Sequence, residues 1–379
     1  MPSAIVSVIN DLTTDQRVDR TCQALVKAGY DVLLIGRRRR NSQTLKPRTY
    51  TVHRMRLLFE KGAFFYAEYN FILFFFLLFH KYDLLVSNDL DTLPANYFAN
   101  LVKYPFTKFK NRKSPLHLHD CHEYYRGVPE LVGRKNVTRI WKWFEDLIFP
   151  RLQKVIAVNQ SIADLYSKEY GNKIGIVRNV PFRQSLSEKM DKSALNIREY
   201  QKIVLYQGAV NVDRGLEEAI LSMKHLKTDA ILVIAGIGDI FEPLKKFTEE
   251  RGLSEKVRFM GEIPFQELRA LTRIADIGLS IEKDVSINYH YCLPNKFLDY
   301  IQANVPVLVS PFPEMKLIVD QYAIGEYIDS HEPELLAQKF DSMLNNRERE
   351  ATYKQNLIKA AEDLCWENEE KTLLLMLEH

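Results

Sequence analysis

Leu293-Pro-Asn-Lys-Phe-Leu-Asp-Tyr-Ile-Gln-Ala-Asn304 runs straight into Val305-Pro-Val-Leu-Val-Ser310. The second piece is short, apolar and rich in β-branched residues, and so reads as a buried strand. In the first, apolar residues fall at 293, 297, 298 and 301, a helical spacing. Pro294 suits a first helical turn, where its missing N–H is no loss. A helix start points free N–H groups, and the positive end of its dipole, at whatever lies in front of it. Lys296 puts a cation in that first turn, against the dipole, and such a misplacement suggests a bound phosphate. Asp299, three residues on, lies close to the same face. Phosphate donors, a cation and a carboxylate on one helix suit a nucleotide, with the diphosphate at the tip and the ribose hydroxyls on the acid. The plain alternative is an amphipathic helix with one Lys and one Asp in solvent.

Working outward, 379 residues suggest two domains, and a hydrophobic content of 46% is enough for two cores. A formal charge of +3 does not mark a polyanion binder, so nucleic acid is not an expected partner. Cys22, Cys121, Cys292 and Cys365 are scattered without a Cys-x-x-Cys pair, which suits reduced thiols in the cytoplasm. The opening residues show no basic and apolar signal-peptide pattern.

The N-terminal half alternates strand and helix. Ala4–Ile9 reads as a strand, a helix follows with apolar residues at 18, 22, 25 and 26, and Tyr30–Ile35 is the next strand. This βαβ unit implies a parallel sheet. Its first loop lacks Gly-x-Gly-x-x-Gly, which disfavours a dinucleotide site there. The loop offers Asp15 and Arg17 instead, either as a helix cap and a surface Arg or as substrate contacts at the sheet's C-terminal edge. Two further strands end in polar clusters, Asn88-Asp-Leu-Asp91 and Asp120-Cys-His-Glu123. Their acids, Asp89, Asp91, Asp120 and Glu123, are acceptor-side candidates. His117-Leu-His-Asp-Cys-His122 invites a metal reading, but its order differs from the His-x-His-x-Asp-His of binuclear zinc sites, and no metal is expected. His122 is a candidate hydrogen-bonding or acid–base residue; a structural histidine is the alternative.

Arg37 to Arg40 form a basic block, and Ala63 to Phe79 an aromatic-rich run interrupted by Glu68 and Asn70. The run falls short of the about 20 apolar residues that a membrane span needs. It reads either as a helix buried against the sheet or as an interfacial helix with basic residues alongside.

The second half restarts the pattern. Lys202–Tyr206 is a strand followed by the loop Gln207-Gly-Ala-Val-Asn-Val-Asp-Arg-Gly215. Gly208 permits a close backbone approach, and Arg214 can fork onto a diphosphate. Ala230–Ala235 ends in Gly236-Ile-Gly-Asp239, Lys256–Met260 leads to Gly261-Glu-Ile263, and Ala275–Ser280 precedes the opening stretch. The fold class is α/β with two Rossmann-like domains.

Taken in order, Asp15-Gln-Arg-Val18, Asp120-Cys-His-Glu123, Arg178-Asn-Val-Pro181, Tyr206-Gln-Gly208 with Arg214-Gly-Leu-Glu217, and Leu293–Tyr300 resemble the group 1 (family four) glycosyltransferases of the GT-B fold. The resemblance covers nearly the whole chain. It implies two Rossmann-like domains facing across a cleft: an acceptor-side domain over 1–182, a linker over 183–200 and a donor domain over 201–364. A C-terminal helix at about 365–379 would pack back on the first domain. It also implies retaining transfer of a hexose-type sugar from a nucleotide-sugar donor to a glycan or lipid-linked acceptor, without a cofactor or a required metal. A nucleotide-sugar epimerase of the same fold, or a non-catalytic sugar- or partner-binding module, is the alternative.

The resemblance carries over position by position. Arg214 matches the family's diphosphate cation; its partner position is Ala209, and Lys296 stands in for it. Of the paired acids, the second is Asp299, suited to the ribose, and the first is Tyr291. His122 would lie near the transferred sugar, and Gly208, Gly236, Ile263 and Asn295 complete the donor contacts. Charge developing on the leaving diphosphate would be met by Arg214, Lys296 and the helix tip. Lipid-linked acceptors make an anionic membrane surface a candidate partner, with the protein cytoplasmic and reversibly peripheral on the inner leaflet.

Overall fold

Runs such as Ala4-Ile-Val6, Leu84-Leu-Val86 and Ala230–Ala235 have no polar alternation, as befits parallel strands covered on both faces. A computed structural model describes residues 1–109, 114–128, 134–184 and 189–378. The chain divides into two compact units, Met1–Asn179 with Glu369–His379, and Val180–Asn368.

The first unit is built on a 7-stranded sheet of β1 (Ser3–Ser7), β2 (Asp31–Arg38), β3 (Thr51–Arg56), β4 (Leu84–Asn88), β5 (Leu116–Cys121), β6 (Lys154–Ala157) and β7 (Ile174–Ile176). The order is β3-β2-β1-β4-β5-β6-β7 with every pair parallel. Val6 sits between Leu34 and Val86 in register. Strand order reverses between β1 and β4, where open α/β sheets leave a crevice at their C-terminal edge. Asp15 caps the helix Gln16–Lys27 by accepting from the Val18 N–H, and that helix buries Val18, Cys22 and Leu25.

The aromatic run forms the helix Ala63–Phe79, and it meets neither expectation alone. Phe65, Tyr69, Leu73 and Leu77, each one turn apart, are buried, and Tyr69 donates its hydroxyl proton to the Val8 carbonyl at 2.8 Å. Phe64, Phe71, Phe75 and Phe79 are exposed on the other side. Among the described residues, no helix is long and apolar enough to cross a membrane. The basic block is partly strand, because β2 runs on through Arg38.

The second unit is built on a 6-stranded sheet of β8 (Lys202–Gln207), β9 (Ala230–Ala235), β10 (Val257–Gly261), β11 (Ile277–Ser280), β12 (Val307–Val309) and β13 (Gly325–Tyr327). Its order, β10-β9-β8-β11-β12-β13, is again parallel, with the reversal between β8 and β11. The helix of the opening stretch spans Asn295–Gln302. Pro294 is its N-cap, in extended backbone, one place earlier than the first-turn position read from the sequence. Phe297, Leu298 and Ile301 are buried as their spacing predicts, and Tyr300 with them. Tyr300 needs Gly278 beneath it, because a Cβ there would lie 2.4 Å from its ring. Its hydroxyl accepts from the Gln207 N–H at 3.1 Å and donates to the Leu205 carbonyl at 3.1 Å, pinning the helix to the end of β8.

Of the linker expected over 183–200, residues 185–188 lie outside the described residues. The part from 189 on packs into the second unit: Leu195 and Ile197 are buried, and Arg258 donates to the Leu195 carbonyl at 3.0 Å. The last helix, Trp366–Glu378, changes unit between Asn368 and Glu369. In the first unit, Glu369 accepts from the Arg178 N–H at 2.9 Å.

Candidate active site

In the second unit, the loops after β8, β9, β10 and β11 gather at one sheet edge. Gly208 follows β8 with φ +114°, and Gly236 follows β9 with φ +142°. A Cβ on Gly236 would lie 1.9 Å from the Gly208 carbonyl oxygen, so these two turns cross with no room for a side chain. The Gly236 N–H donates to the Gly261 carbonyl at 2.8 Å, which brings the end of β10, two residues before Ile263, alongside.

The charges converge on a residue that sequence reasoning missed. Glu282, two residues past β11, is fully buried. Its Oε1 lies 2.8 Å from Lys296 Nζ and 3.4 Å from Arg214 Nη1, and Ser280 donates to its Oε2 at 2.9 Å. Burial alone would push the Glu282 carboxyl up, but the Lys296 ammonium and the Arg214 guanidinium outweigh it and hold it below its ordinary range. Burial works against the Lys296 charge, yet Glu282 raises that group above its ordinary value. The anion that the misplaced Lys296 called for is therefore supplied, in part, by the protein. Each cation also rests on an aromatic ring: Lys296 Nζ lies 4.0 Å from the Tyr206 centroid, and Arg214 Cζ 4.7 Å from that of Tyr289. Arg214 Nε has no hydrogen-bond partner among the described residues.

Asp299 is half-buried on the same helix and accepts from Gln207 Nε2 at 3.2 Å. Thr272 orients that amide by donating to its Oε1 at 2.6 Å. Asn295 is exposed at the helix start, and Tyr291 is half-buried. Gly208, Arg214, Gly236, Ile263, Asn295, Lys296 and Asp299 thus all belong to the C-terminal edge of this sheet or the helix over it.

In the first unit, Arg17 is neither a surface residue nor a free substrate contact. It is 3% exposed and grips Asp120 through Nε (3.0 Å) and Nη2 (2.6 Å), while Nη1 donates to the Val177 carbonyl at 2.7 Å. Burial would raise the Asp120 carboxyl, but Arg17 and then His122 hold it well below the usual carboxylate range. Asp15 accepts from Asn10 Nδ2 at 2.6 Å in addition to capping its helix. Arg17 and Asp120, expected on the acceptor side, are thus committed to each other, and Asp15 to its own helix and to Asn10.

His122 lies between acids. Nδ1 is 3.2 Å from Asp89 Oδ2, and Nε2 is 3.4 Å from Asp120 Oδ2 and 3.2 Å from Asn88 Oδ1. Burial lowers its pKa, but Asp89 and Asp120 more than compensate and raise it to about 9. At neutral pH it is an imidazolium, so it can donate hydrogen bonds but cannot act as a base. Asp89 holds it from a left-handed backbone, φ +56°, and also accepts the His122 N–H at 2.9 Å. Burial pushes the Asp89 and Asp91 carboxyls up, and Asp91 Oδ1 has no hydrogen-bond partner among the described residues. Glu123 is half-buried beside this cluster in sequence. His117 and His119 share a face as the strand period requires, but both contact the Ser87 hydroxyl, at 2.8 and 3.0 Å. Burial lowers them to about 3 and about 4, so they are neutral core groups.

Residues 187–362 match the family of glycosyl transferases group 1, and residues 15–180 match glycosyltransferase family 4. The chain belongs to the group 1 glycosyltransferases. The glycosyltransferase is 25% identical over 167 residues to an uncharacterized glycosyltransferase of Methanocaldococcus jannaschii, a stretch that is 43% of this chain and 41% of that relative. Less than half of that relative is therefore spanned. Among solved structures, a sucrose-phosphate synthase from Thermosynechococcus elongatus superposes with a TM-score of 0.76 at 16% identity, covering 100% of this chain and 98% of that one. HepE of Anabaena in complex with UDP-glucose superposes with a TM-score of 0.71 at 13% identity, covering 100% of both chains. These likenesses show the GT-B fold of the glycosyltransferase, two Rossmann-like domains on parallel sheets.

Proposed function

We propose that the second unit binds a nucleotide-sugar donor, and that the enzyme transfers its hexose-type sugar, with retention, to a glycan or lipid-linked acceptor. The observation that carries this reading is the convergence of Arg214 and Lys296 on one buried carboxylate at the point where the strand order reverses. At the diphosphate end two cations face the single carboxylate of Glu282, and the N–H groups starting the Asn295–Gln302 helix add to that positive potential. A diphosphate leaving group suits such a site, and Asp299, held by Gln207, is placed for ribose hydroxyls. That HepE of Anabaena is found with UDP-glucose supports a donor of this class.

In the reaction the anomeric C–O bond to the diphosphate breaks and the acceptor oxygen bonds to the same carbon from the same face. The acceptor proton passes to the departing phosphate oxygen. Arg214 and Lys296 stabilise the charge that develops there, so the reading invokes no metal ion. The test is a panel of UDP-, GDP-, ADP- and CMP-sugars, scored by melting shift and by release of nucleotide. One donor should stabilise and be consumed, giving a product of unchanged anomeric configuration by NMR. If none shifts the melt and none is consumed, the reading is wrong.

A further inference from the structure

We propose that the outer face of the helix Ala63–Phe79 docks reversibly on an anionic lipid bilayer, its exposed phenylalanines entering the headgroup region while Arg38, Arg39 and Arg40 meet the phosphates. This does not rest on the donor reading, since it concerns a different face of a different unit. Four phenylalanines form the stripe: Phe64 (72% exposed), Phe71 (65%), Phe75 (41%) and Phe79 (82%). At 100° per residue they lie on one side, opposite the buried Phe65, Tyr69, Leu73 and Leu77. The stripe extends off the helix, because the exposed Phe59 stacks on Phe64 with centroids 5.4 Å apart and Leu58 beside it is exposed. A helix that is apolar on both sides, with one side open, is not the ordinary surface helix of a soluble fold.

The charges decide what covers it. Arg37 ties the end of β2 to the start of the helix: its guanidinium lies 4.3 Å from the Phe65 ring centroid and donates to the Glu60 carbonyl at 2.9 Å. The exposed Arg38, Arg39 and Arg40 therefore emerge beside the N-terminal end of the stripe, near the exposed Lys61. At the far end, Lys81 is exposed and Lys103 donates to the His80 carbonyl. The acids are occupied: Glu60 lies 3.7 Å from Arg40, and Glu68 accepts the Leu58 and Phe59 N–H groups at 2.8 and 2.9 Å. An aromatic stripe bracketed by cations suits an anionic interface. A second copy suits it less, because pairing the stripe with itself in either direction sets like charges against each other. Spanning is excluded by the buried face, which the sheet already covers.

The test is flotation with vesicles of phosphatidylcholine and phosphatidylglycerol at seven to three, and of phosphatidylcholine alone. Each basic residue near an anionic surface is worth about fivefold in partitioning. The variant R38S/R39S/R40S, which spares the structural Arg37, should thus bind anionic vesicles about a hundredfold less well. Wild-type binding should fall steeply with salt. The variant F64S/F71S/F75S should also lose binding while its circular dichroism and melt stay as wild type. If that triple variant misfolds, Phe79→Ser alone should still weaken flotation severalfold. Wild type that stays unbound at low salt, or phenylalanine variants that float like wild type, would overturn the proposal. So would a wild-type dimer in sedimentation velocity that the phenylalanine variant abolishes while neither floats; the face would then belong to a second copy.

Discussion

Replacing Glu282 by Gln isolates the charge at the heart of the second unit while keeping the side chain's shape. Glu282 is fully buried with Lys296 Nζ at 2.8 Å and Arg214 Nη1 at 3.4 Å. Removing one partner of a buried pair leaves the other uncompensated and costs about 3–5 kcal/mol. For a unit of this size each kcal/mol moves the melting temperature by about 2–4 °C, so the unliganded variant should melt roughly 6–20 °C lower. A bound diphosphate supplies the missing anion. It is also freed from the repulsion of a carboxylate that shares the same two cations. A nucleoside diphosphate that stabilises wild type should therefore stabilise Glu282→Gln by more, and bind it more tightly. The assay is differential scanning calorimetry with and without that nucleotide. Equal melting of the two unliganded proteins, or equal nucleotide shifts, would refute the reasoning.

Further predictions follow from the first unit and the glycine turns. His122 is charged in the folded state up to about pH 9, whereas the unfolded residue loses its proton near 6.5, so its contribution is full below pH 6.5 and lost as pH rises through 9. That contribution is roughly 3 kcal/mol, and urea denaturation should show His122→Gln lacking the wild type's loss of stability over that window. Arg17→Met should destabilise by about 3–5 kcal/mol in denaturant titration by leaving Asp120 buried and unpaired, and Arg17→Lys should not restore it, because a single ammonium cannot make the forked contact. Gly236→Ala should lose both stability and nucleotide binding, given the 1.9 Å clash with the Gly208 carbonyl oxygen; a variant that melts and binds as wild type would contradict that crossing.

Much of the fold was legible because parallel strands buried on both faces are continuous apolar runs, and because Asp15 and the apolar spacing at 297, 298 and 301 mark helices directly. The strands that escaped notice lack those signals. β3 is a charged edge strand, Thr-Val-His-Arg-Met-Arg, and β13 is three half-buried residues. Glu282 escaped because Glu-Lys-Asp after a strand reads as solvated charge, and only Ser280, Lys296 and Arg214 around it reveal its burial. A signal did exist: a lysine set against a helix dipole wants an anion, and the acid ending the preceding strand was the candidate. Arg17 and Asp120 are 103 positions apart, so no local pattern pairs them. The two faces of the phenylalanine helix were equally apolar in sequence, and only the sheet beneath distinguishes them.

The central claim about function is that Arg214, Lys296 and Asp299 hold a nucleoside diphosphate. Isothermal titration of UDP, GDP and ADP into wild type, Arg214→Ala, Lys296→Ala and Asp299→Asn tests it most directly. One nucleotide should bind wild type. Each cation variant should lose roughly 1.5–3 kcal/mol of affinity, about 10- to 150-fold, for a charge-assisted contact removed. Asp299→Asn should weaken the diphosphate and the free nucleoside by the same factor, because it acts on the ribose. Unchanged affinity in both cation variants would contradict the account.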